Sequence, residues 1–169
     1  MGDLSAHFSK NELMCKCGCG GLKYDSSLII KLEQLSDYVG NRPIYITSGY
    51  RCPKHSVAVG GYANDAHTKG LAVDCYIEGL SVEDVAEASE ICGFTGIGLM
   101  NGAVHIDVRS ESNYVNGHWF GDERTGNNNV KTFKRNPVKT YTKTGNDSKV
   151  IYTEIGKSKV KITIEEMKS

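Results

Sequence analysis

Apolar side chains recur every three or four positions over residues 25–39, which is the period of a helix that buries one face. The apolar positions are Leu28, Ile29, Leu32, Leu35 and Val39. Polar residues that cap helices begin this segment and Gly40 follows it, so the pattern predicts a helix over residues 25–39. A second helix is predicted over residues 81–92, because Ser81 begins a capping-box-like sequence and Gly93 ends the pattern.

Shorter apolar runs that are rich in β-branched residues predict strands. They cover residues 44–47, 71–77, 97–100 and 103–108. Asn101-Gly102 joins the last two strands, and this dipeptide is the strongest short signal for a β-hairpin. Residues 7–22 and 48–70 are rich in glycine and polar residues and are predicted to be loops. Helices and strands therefore mix without regular strand-helix-strand units, which predicts an α+β fold.

The composition changes beyond residues 136–137. Residues 138–169 contain no cysteine, are rich in lysine, and alternate β-branched with polar side chains. This pattern predicts a main domain over residues 1–137 and a β-rich C-terminal extension of about three short strands over residues 138–169. Three short strands bury too little apolar surface to fold alone, so we expect the extension to pack on the main domain or on another chain.

The charges of the chain balance, with 20 Lys and Arg against 20 Asp and Glu among 169 residues. A dedicated nucleic-acid-binding protein usually carries a basic excess, so no nucleic-acid partner is expected. No apolar run approaches the roughly 18 residues of a membrane span. The first residues lack the basic and then apolar layout of a secretory signal, so the chain is expected to be made in the cytoplasm.

Six cysteines raise the question of disulfides or a metal site. They are Cys15, Cys17, Cys19, Cys52, Cys75 and Cys92. A cytoplasmic origin disfavours disulfides, because thiols stay reduced there. The first three cysteines follow a Cys-x-Cys-x-Cys pattern, which differs from the Cys-x-x-Cys spacing of many zinc sites. Ordinary thiols or a local structural role are therefore favoured over a metal centre made by these cysteines, and both interpretations stay open.

Two histidines and an aspartate in the middle of the chain have the chemistry of a metal site. Zinc needs donor atoms within about 2.0–2.2 Å, so His67 and Asp74 can share one ion only if the chain folds back between them. Gly70 permits such a reversal. His105 would arrive from the hairpin strand beside Asp74. Two histidines and one carboxylate leave a fourth position open, as in catalytic zinc sites; the alternative is that these residues make ordinary hydrogen bonds in loops.

Three motifs in this order give the chain a family resemblance. They are Ser48-Gly49-Tyr50-Arg51, His67-x-x-Gly70-x-Ala72-x-Asp74, and Val104-His105-Ile106-Asp107. Together with Cys15-Lys16-Cys17-Gly18-Cys19-Gly20 they resemble the zinc D-Ala-D-Ala carboxypeptidases and related peptidoglycan endopeptidases, in particular a small branch similar to phage endolysins. The resemblance covers about residues 7–110. It implies the hedgehog/DD-peptidase fold, an α+β fold with a small antiparallel sheet and flanking helices.

The resemblance also implies roles for individual residues. His67, Asp74 and His105 would be the zinc ligands. Arg51 would bind a substrate carboxylate or support the polarised carbonyl, because a guanidinium matches a carboxylate with two parallel hydrogen bonds. The alternative for Arg51 is a salt bridge that braces a loop. Asp65 stands where the family has a serine that contacts substrate, so a carboxylate would have to take over this substrate-binding position.

The general base is harder to assign, because many family members carry a Glu or Asp three residues before the last histidine and this chain has Gly102 there. Asp107 is our prediction for this role. On a strand it would project from the same face as His105, about 6.5–7 Å along the chain. The alternatives are that Asp107 orients a ligating imidazole, that Asp65 or Glu78 is the base, or that the chain has lost activity.

These expectations combine into a zinc-dependent peptidase that hydrolyses the stem peptide or cross-bridge of bacterial peptidoglycan, as a carboxypeptidase or an endolysin-type endopeptidase. Without a secretory signal, such an enzyme would reach the cell wall through a separate membrane pore or on a phage particle. Two alternatives stay open. One is a catalytically silent wall-binding or phage structural module that keeps the fold, and the other is a zinc enzyme that acts on a free dipeptide.

Overall fold

The computed structural model describes residues 2–109 and 119–135, and the backbone of further strands within residues 140–165. Its helices are α1 (Lys10–Leu13), α2 (Ser26–Tyr38), α3 (Pro53–Ala58) and α4 (Val82–Ile91). Its strands are β1 (Ile44–Ser48), β2 (Ala72–Ile77), β3 (Gly96–Leu99), β4 (Val104–Asp107), β5 (Trp119–Asp122), β6 (Thr140–Thr144), β7 (Ser148–Ile155) and β8 (Ser158–Glu165). The predicted α+β class is confirmed.

Five strands form the main sheet in the order β1-β2-β4-β3-β5. The pairs β1–β2, β2–β4 and β3–β4 are antiparallel, whereas β3 and β5 are parallel. Gly96, the first residue of β3, pairs with Asp107 at the end of β4 and with Trp119 at the start of β5. β5 therefore runs in the same direction as β3 and lies on the opposite side of β3 from β4. The expected small antiparallel sheet is therefore found for three of the four strand pairs, but the parallel pair makes the sheet mixed.

One face of the main sheet carries the hydrophobic core. Successive residues of a strand point to opposite faces, and Val73, Val104 and Ile106 on β2 and β4 are buried at 0% exposure. α4 packs against this part of the sheet and α2 packs against α4. Asp74 and His105 alternate with these apolar residues and therefore lie on the opposite, polar face.

Both longer helices form where the hydrophobic pattern predicts them. The Asp25 side chain caps α2 by accepting a hydrogen bond from the backbone N–H of Ser27 at 2.8 Å. Ser81 and Asp84 form a capping box at the start of α4. The predicted hairpin is confirmed by the antiparallel pairing of β3 and β4. In the part of the chain that the structure describes, no helix has the length and apolar character needed to cross a bilayer.

The two segments predicted to be loops each contain a short helix. α1 is a single turn that is closed by a capping box between Ser9 and Glu12. α3 begins at Pro53, where proline is tolerated because the first turn needs no hydrogen bond from its N–H, and Cys52 is its N-cap residue. Both helices are too short to show a helical period in the sequence, so the prediction of continuous loops is wrong there.

The strands β6, β7 and β8 form a second, antiparallel sheet in that order. This agrees with the β-rich character predicted for the C-terminal region. The predicted domain boundary at residue 137 lies outside the described residues. The division into a main domain and an extension therefore stays a prediction.

Candidate metal centre

The polar face of the main sheet brings Asp74 and His105 together, since they are directly opposite each other in the register of β2 and β4. His67 reaches them from the loop before β2. In this loop Gly70 has a φ of 75°, a left-handed conformation that favours glycine. The backbone N–H of Gly70 donates to the carbonyl oxygen of His67 at 3.1 Å and closes the turn. The chain therefore folds back between His67 and Asp74.

The donor atoms of the three side chains converge. Asp74 Oδ1 lies 3.2 Å from His67 Nε2 and 3.0 Å from His105 Nδ1, and these two nitrogen atoms are 3.1 Å apart. Donor atoms that surround a tetrahedral zinc ion at about 2.0–2.2 Å are themselves about 3.3–3.6 Å apart. The three residues therefore offer a donor set and a spacing that fit a zinc ion.

Hydrogen bonds on the far side of each imidazole determine which nitrogen faces this site. His67 Nδ1 lies 2.8 Å from the carbonyl oxygen of Gly49, which can only accept, so Nδ1 carries the hydrogen. His105 Nε2 donates in the same way to Asp107 Oδ2 at 3.0 Å. When each ring is neutral, as metal binding requires, its remaining nitrogen presents a lone pair to the site. Metal-binding histidines are commonly oriented by such carbonyl or carboxylate partners.

Asp74 is ionised in this environment. Burial works to raise its pKa, but hydrogen bonds with His105 and His67 outweigh burial and hold the pKa of this carboxyl well below its usual range. The second oxygen of Asp74, Oδ2, accepts a hydrogen bond from the guanidinium group of Arg51. One carboxylate oxygen therefore faces the histidines, while a fixed positive charge neutralises the other.

Asp107 occupies a position that does not suit a general base. Its side chain is buried at 0% exposure and contacts His105 Nε2, the nitrogen that points away from the other two donors. The guanidinium group and the backbone N–H of Arg109 also donate to it. Its register partner on β3 is Gly96, where any Cβ atom would collide with the carboxyl group. These contacts match the alternative role of orienting the imidazole and give no support to proton abstraction by Asp107.

The contact between His105 and Asp107 makes a pH-dependent prediction for metal-free protein. Burial lowers the pKa of His105, but hydrogen bonds with Asp107 and Asp74 outweigh it and raise the pKa to about 9. An unfolded histidine titrates near about 6.5, so protonated His105 stabilises the fold fully below that pH, and this stabilisation is lost as the pH rises through about 9. Asp107→Asn should therefore destabilise metal-free protein more at about pH 6 than at about pH 10 in urea unfolding. Equal destabilisation at both pH values would contradict the assignment.

Arg51, the predicted substrate-binding cation, is part of the site. Besides its ion pair with Asp74, its Nε donates to Ser48 Oγ at 2.9 Å. The salt bridge considered as its alternative role is therefore present, and it holds a donor residue of the site. Arg51 also lines the cavity described below, and its role toward substrate stays a prediction.

Asp65 is held by its own loop. Ser56 Oγ and the backbone N–H of Thr68 donate to its carboxylate, the latter at 2.9 Å. Burial works to raise the pKa of Asp65, but these hydrogen bonds outweigh it and lower the pKa. Glu78 is exposed at the end of β2, where its carboxylate accepts a hydrogen bond from Tyr45 Oη at 3.4 Å, away from the three donor residues. Neither carboxylate has the contacts of a base at this site.

A cavity of about 590 Å³ adjoins the converging donor atoms. Its charged and aromatic lining residues other than the three donors include Arg51, Tyr62, Asp65, Arg109, Trp119 and Glu123. The Trp119 ring meets the His105 ring edge to face with centroids 6.1 Å apart. The guanidinium carbon of Arg109 lies 5.4 Å from the centroid of the Trp119 ring.

Sequence reasoning missed Trp119 and Glu123, because both depend on the parallel pairing of β5 with β3. A weak signal for Trp119 exists in Gly98 on β3. A Cβ atom at Gly98 would lie 3.1 Å from the Trp119 ring, so the glycine makes room for the indole. A glycine inside a buried strand can therefore mark a position that a large side chain from another segment covers.

Two comparisons with known proteins bear on this site. A family model described as peptidase M15 matches residues 6–108, which include all three donor residues and end before β5. No curated protein matches the chain.

Proposed function

The chain belongs to the peptidase M15 family, and from that premise we propose that it is a zinc-dependent peptidase that hydrolyses peptide bonds of bacterial peptidoglycan. The observation that carries the proposal is the convergence of donor atoms from His67, Asp74 and His105 beside a cavity of about 590 Å³. Clefts of about 300–1,000 Å³ are typical of small-ligand sites, so this cavity can accept a short peptide segment.

His67, Asp74 and His105 would hold the zinc ion, leaving one position open. When bound, zinc polarises a carbonyl group and lowers the pKa of water to about 7. Both imidazole rings are oriented before zinc binds, because the carbonyl of Gly49 contacts His67 and the carboxylate of Asp107 contacts His105. The Arg51 guanidinium fixes Asp74. Such supporting partners raise metal affinity by about 10–100-fold.

Proton transfer in this proposal falls to Glu123. Of the cavity-lining carboxylates in the described residues, Asp74 is paired with Arg51 and Asp65 is held by its own loop. Glu123 is the one for which no such side-chain partner is found, while its backbone N–H is anchored to the carbonyl oxygen of Leu99 at 3.0 Å. A carboxylate in this position would take a proton from the attacking water and return it to the leaving amine.

Two guanidinium groups of the cavity lining would bind a carboxylate of the substrate. Arg51 and Arg109 both line the cavity, and each guanidinium is already fixed by a carboxylate, Asp74 or Asp107. A fixed guanidinium loses little freedom when it binds a further carboxylate, such as those of peptidoglycan stem peptides. The Trp119 ring adds an apolar surface beside these charges.

Hydrolysis of purified cell walls, with and without a chelator, tests the proposed function. The untreated protein should release soluble fragments, chelation should stop the release, and added zinc should restore it. Mass spectrometry of the products then separates removal of a terminal D-Ala from cleavage within the stem or cross-bridge. Wall binding without fragment release would favour the silent module. Release of amino acids from a free dipeptide but not from walls would favour a dipeptidase.

The C-terminal residues 138–169 should be dispensable for bond cleavage. Among the described residues, strands β6 to β8 pair only with one another. They therefore add no strand to the sheet that carries Asp74 and His105. A chain that ends near Val138 should hydrolyse a small soluble muropeptide at about the wild-type rate, while its attachment to cell walls or its oligomeric state changes. Complete loss of muropeptide hydrolysis in a folded truncated chain would show that this region completes the site.

A further inference from the structure

Four thiol groups outside the His67–Asp74–His105 site converge on one point. They belong to Cys15, Cys17, Cys19 and Cys52, and their sulfur atoms all lie within 4.8 Å of one another. The Sγ atoms of Cys15 and Cys17 are 3.4 Å apart, and those of Cys17 and Cys52 are 3.7 Å apart. Cys75 and Cys92, the remaining cysteines, lie outside this cluster.

The fold, not the local sequence, completes the cluster. Cys15 follows α1, and Cys52 lies beyond the end of β1. The backbone N–H of Tyr50 donates to the carbonyl oxygen of Leu13 at 2.8 Å and joins these two segments. The backbone N–H of Cys15 donates to the carbonyl oxygen of Gly21 at 2.9 Å and closes the loop between these two residues. The sulfur atom of Cys52 is thereby brought beside the three sulfur atoms of the Cys-x-Cys-x-Cys segment, whose spacing differs from that of many zinc sites.

Backbone amides supply hydrogen bonds to three of the sulfur atoms. Cys52 N donates to Cys15 Sγ at 3.3 Å, Gly21 N donates to Cys19 Sγ at 3.4 Å, and His55 N donates to Cys52 Sγ at 3.4 Å. A sulfur accepts hydrogen bonds best as a thiolate, which is also the form that binds metals. These donors therefore favour the charge state that a metal site requires.

We propose that Cys15, Cys17, Cys19 and Cys52 bind one zinc ion as a tetrahedral thiolate site. Sulfur atoms at about 2.3 Å from a tetrahedral zinc ion lie about 3.8 Å apart, close to the spacings seen here. A disulfide would need an S–S distance of about 2.05 Å, far below those spacings. Four protein ligands leave no position open for substrate, so this zinc ion is structural.

The thiolate site is coupled to the histidine site through the segment from Gly49 to Cys52. Cys52 directly follows Arg51, which pairs with Asp74, and the Gly49 carbonyl orients His67. A zinc ion on Cys52 would therefore anchor the segment that positions two donors of the proposed catalytic site. The thiolate site itself does not depend on the proposed peptidase activity.

Metal content and cobalt spectroscopy of the full chain test this inference. Wild-type protein should hold about two zinc ions per chain, Cys17→Ser and Cys19→Ser about one, and the control Cys92→Ser about two. After replacement of zinc by Co²⁺, wild type and His105→Ala should both show intense sulfur-to-cobalt charge-transfer absorption, and the two cluster variants should lose much of it. Loss of this absorption in His105→Ala would show that the signal does not come from a thiolate site that is independent of the histidines. That result would overturn the assignment.

A measurement on unaltered cysteines guards against variants that do not fold. In His105→Ala protein, titration with a mercurial reagent in the presence of a metal indicator should release about one zinc ion as the thiols react. Release of no zinc, unchanged zinc content in both cluster variants, or a disulfide between any two of the four thiols in native protein would overturn the proposal. If His105→Ala protein releases its zinc ion in this titration but wild-type protein does not hydrolyse cell walls, only the proposed peptidase function is contradicted.

Discussion

Replacing His67 or His105 by alanine should remove the zinc ion of the histidine site and reduce wall hydrolysis to the level of chelator-treated protein. In the proposed zinc site each histidine supplies one of three protein donors, and its ring is already held by a partner on its far side. Alanine leaves two donors, which cannot hold zinc tightly at neutral pH. Elemental analysis of purified variants, together with fragment release from cell walls, measures both effects.

His7→Ala is a matched control for this experiment. His7 lies on the surface, where its imidazole contacts Glu33 at 2.6 Å, and it contributes nothing to the cavity. The control should keep wild-type zinc content and activity. Full zinc content in His67→Ala or His105→Ala would show that the donor assignment is wrong, whatever happens to activity.

Glu123→Gln and Asp107→Asn should fail in different ways. If Glu123 accepts the proton from water, its amide variant should lose about 10²–10⁴-fold in kcat and keep its zinc. If Asp107 orients His105, its amide variant should bind zinc about 10–100-fold more weakly. Its kcat at saturating zinc should stay close to that of the wild type. Zinc affinity and kcat, measured separately on each variant, distinguish the two roles.

Glu78→Gln provides the control, since Glu78 is an exposed carboxylate that contacts Tyr45 and does not line the cavity. It should leave both zinc affinity and kcat unchanged. A normal kcat in Glu123→Gln would remove Glu123 from the reaction. A loss of kcat in Asp107→Asn at full zinc occupancy would support the sequence-based prediction that Asp107 is the general base.

The sequence predicts those parts of the fold that depend on local interactions. α2 and α4 follow from apolar residues at helical spacing between a capping residue and a glycine. The β3–β4 hairpin follows from Asn101-Gly102. α1 and α3 were missed because each is held by contacts around one or two turns, which are too few to create a period. β5 was missed because its pairing with β3 joins segments that are distant in sequence.

The contacts of the candidate site can likewise be separated into those that local sequence predicts and those that it does not. Gly70 indicates the reversal that places His67 near Asp74, and strand alternation puts His105 and Asp107 on one face. Other contacts depend on how separate segments pack, which spacing along the chain does not encode. The ion pair between Arg51 and Asp74, the position of Glu123, and the approach of Cys52 to Cys15 belong to this second group.

The unequal anchoring of the three donors has a consequence for the kinetics of metal exchange. His105 lies on β4, which is paired on both sides, and Asp74 is its partner on β2. Amides in such central strands exchange hydrogen slowly, because large parts of the sheet must open to expose them. His67 is carried by a loop, which can open locally at a smaller free-energy cost. An ion would therefore leave and return through movement of the His67 loop, while Asp74 and His105 remain paired as a fixed half-site that guides its re-entry.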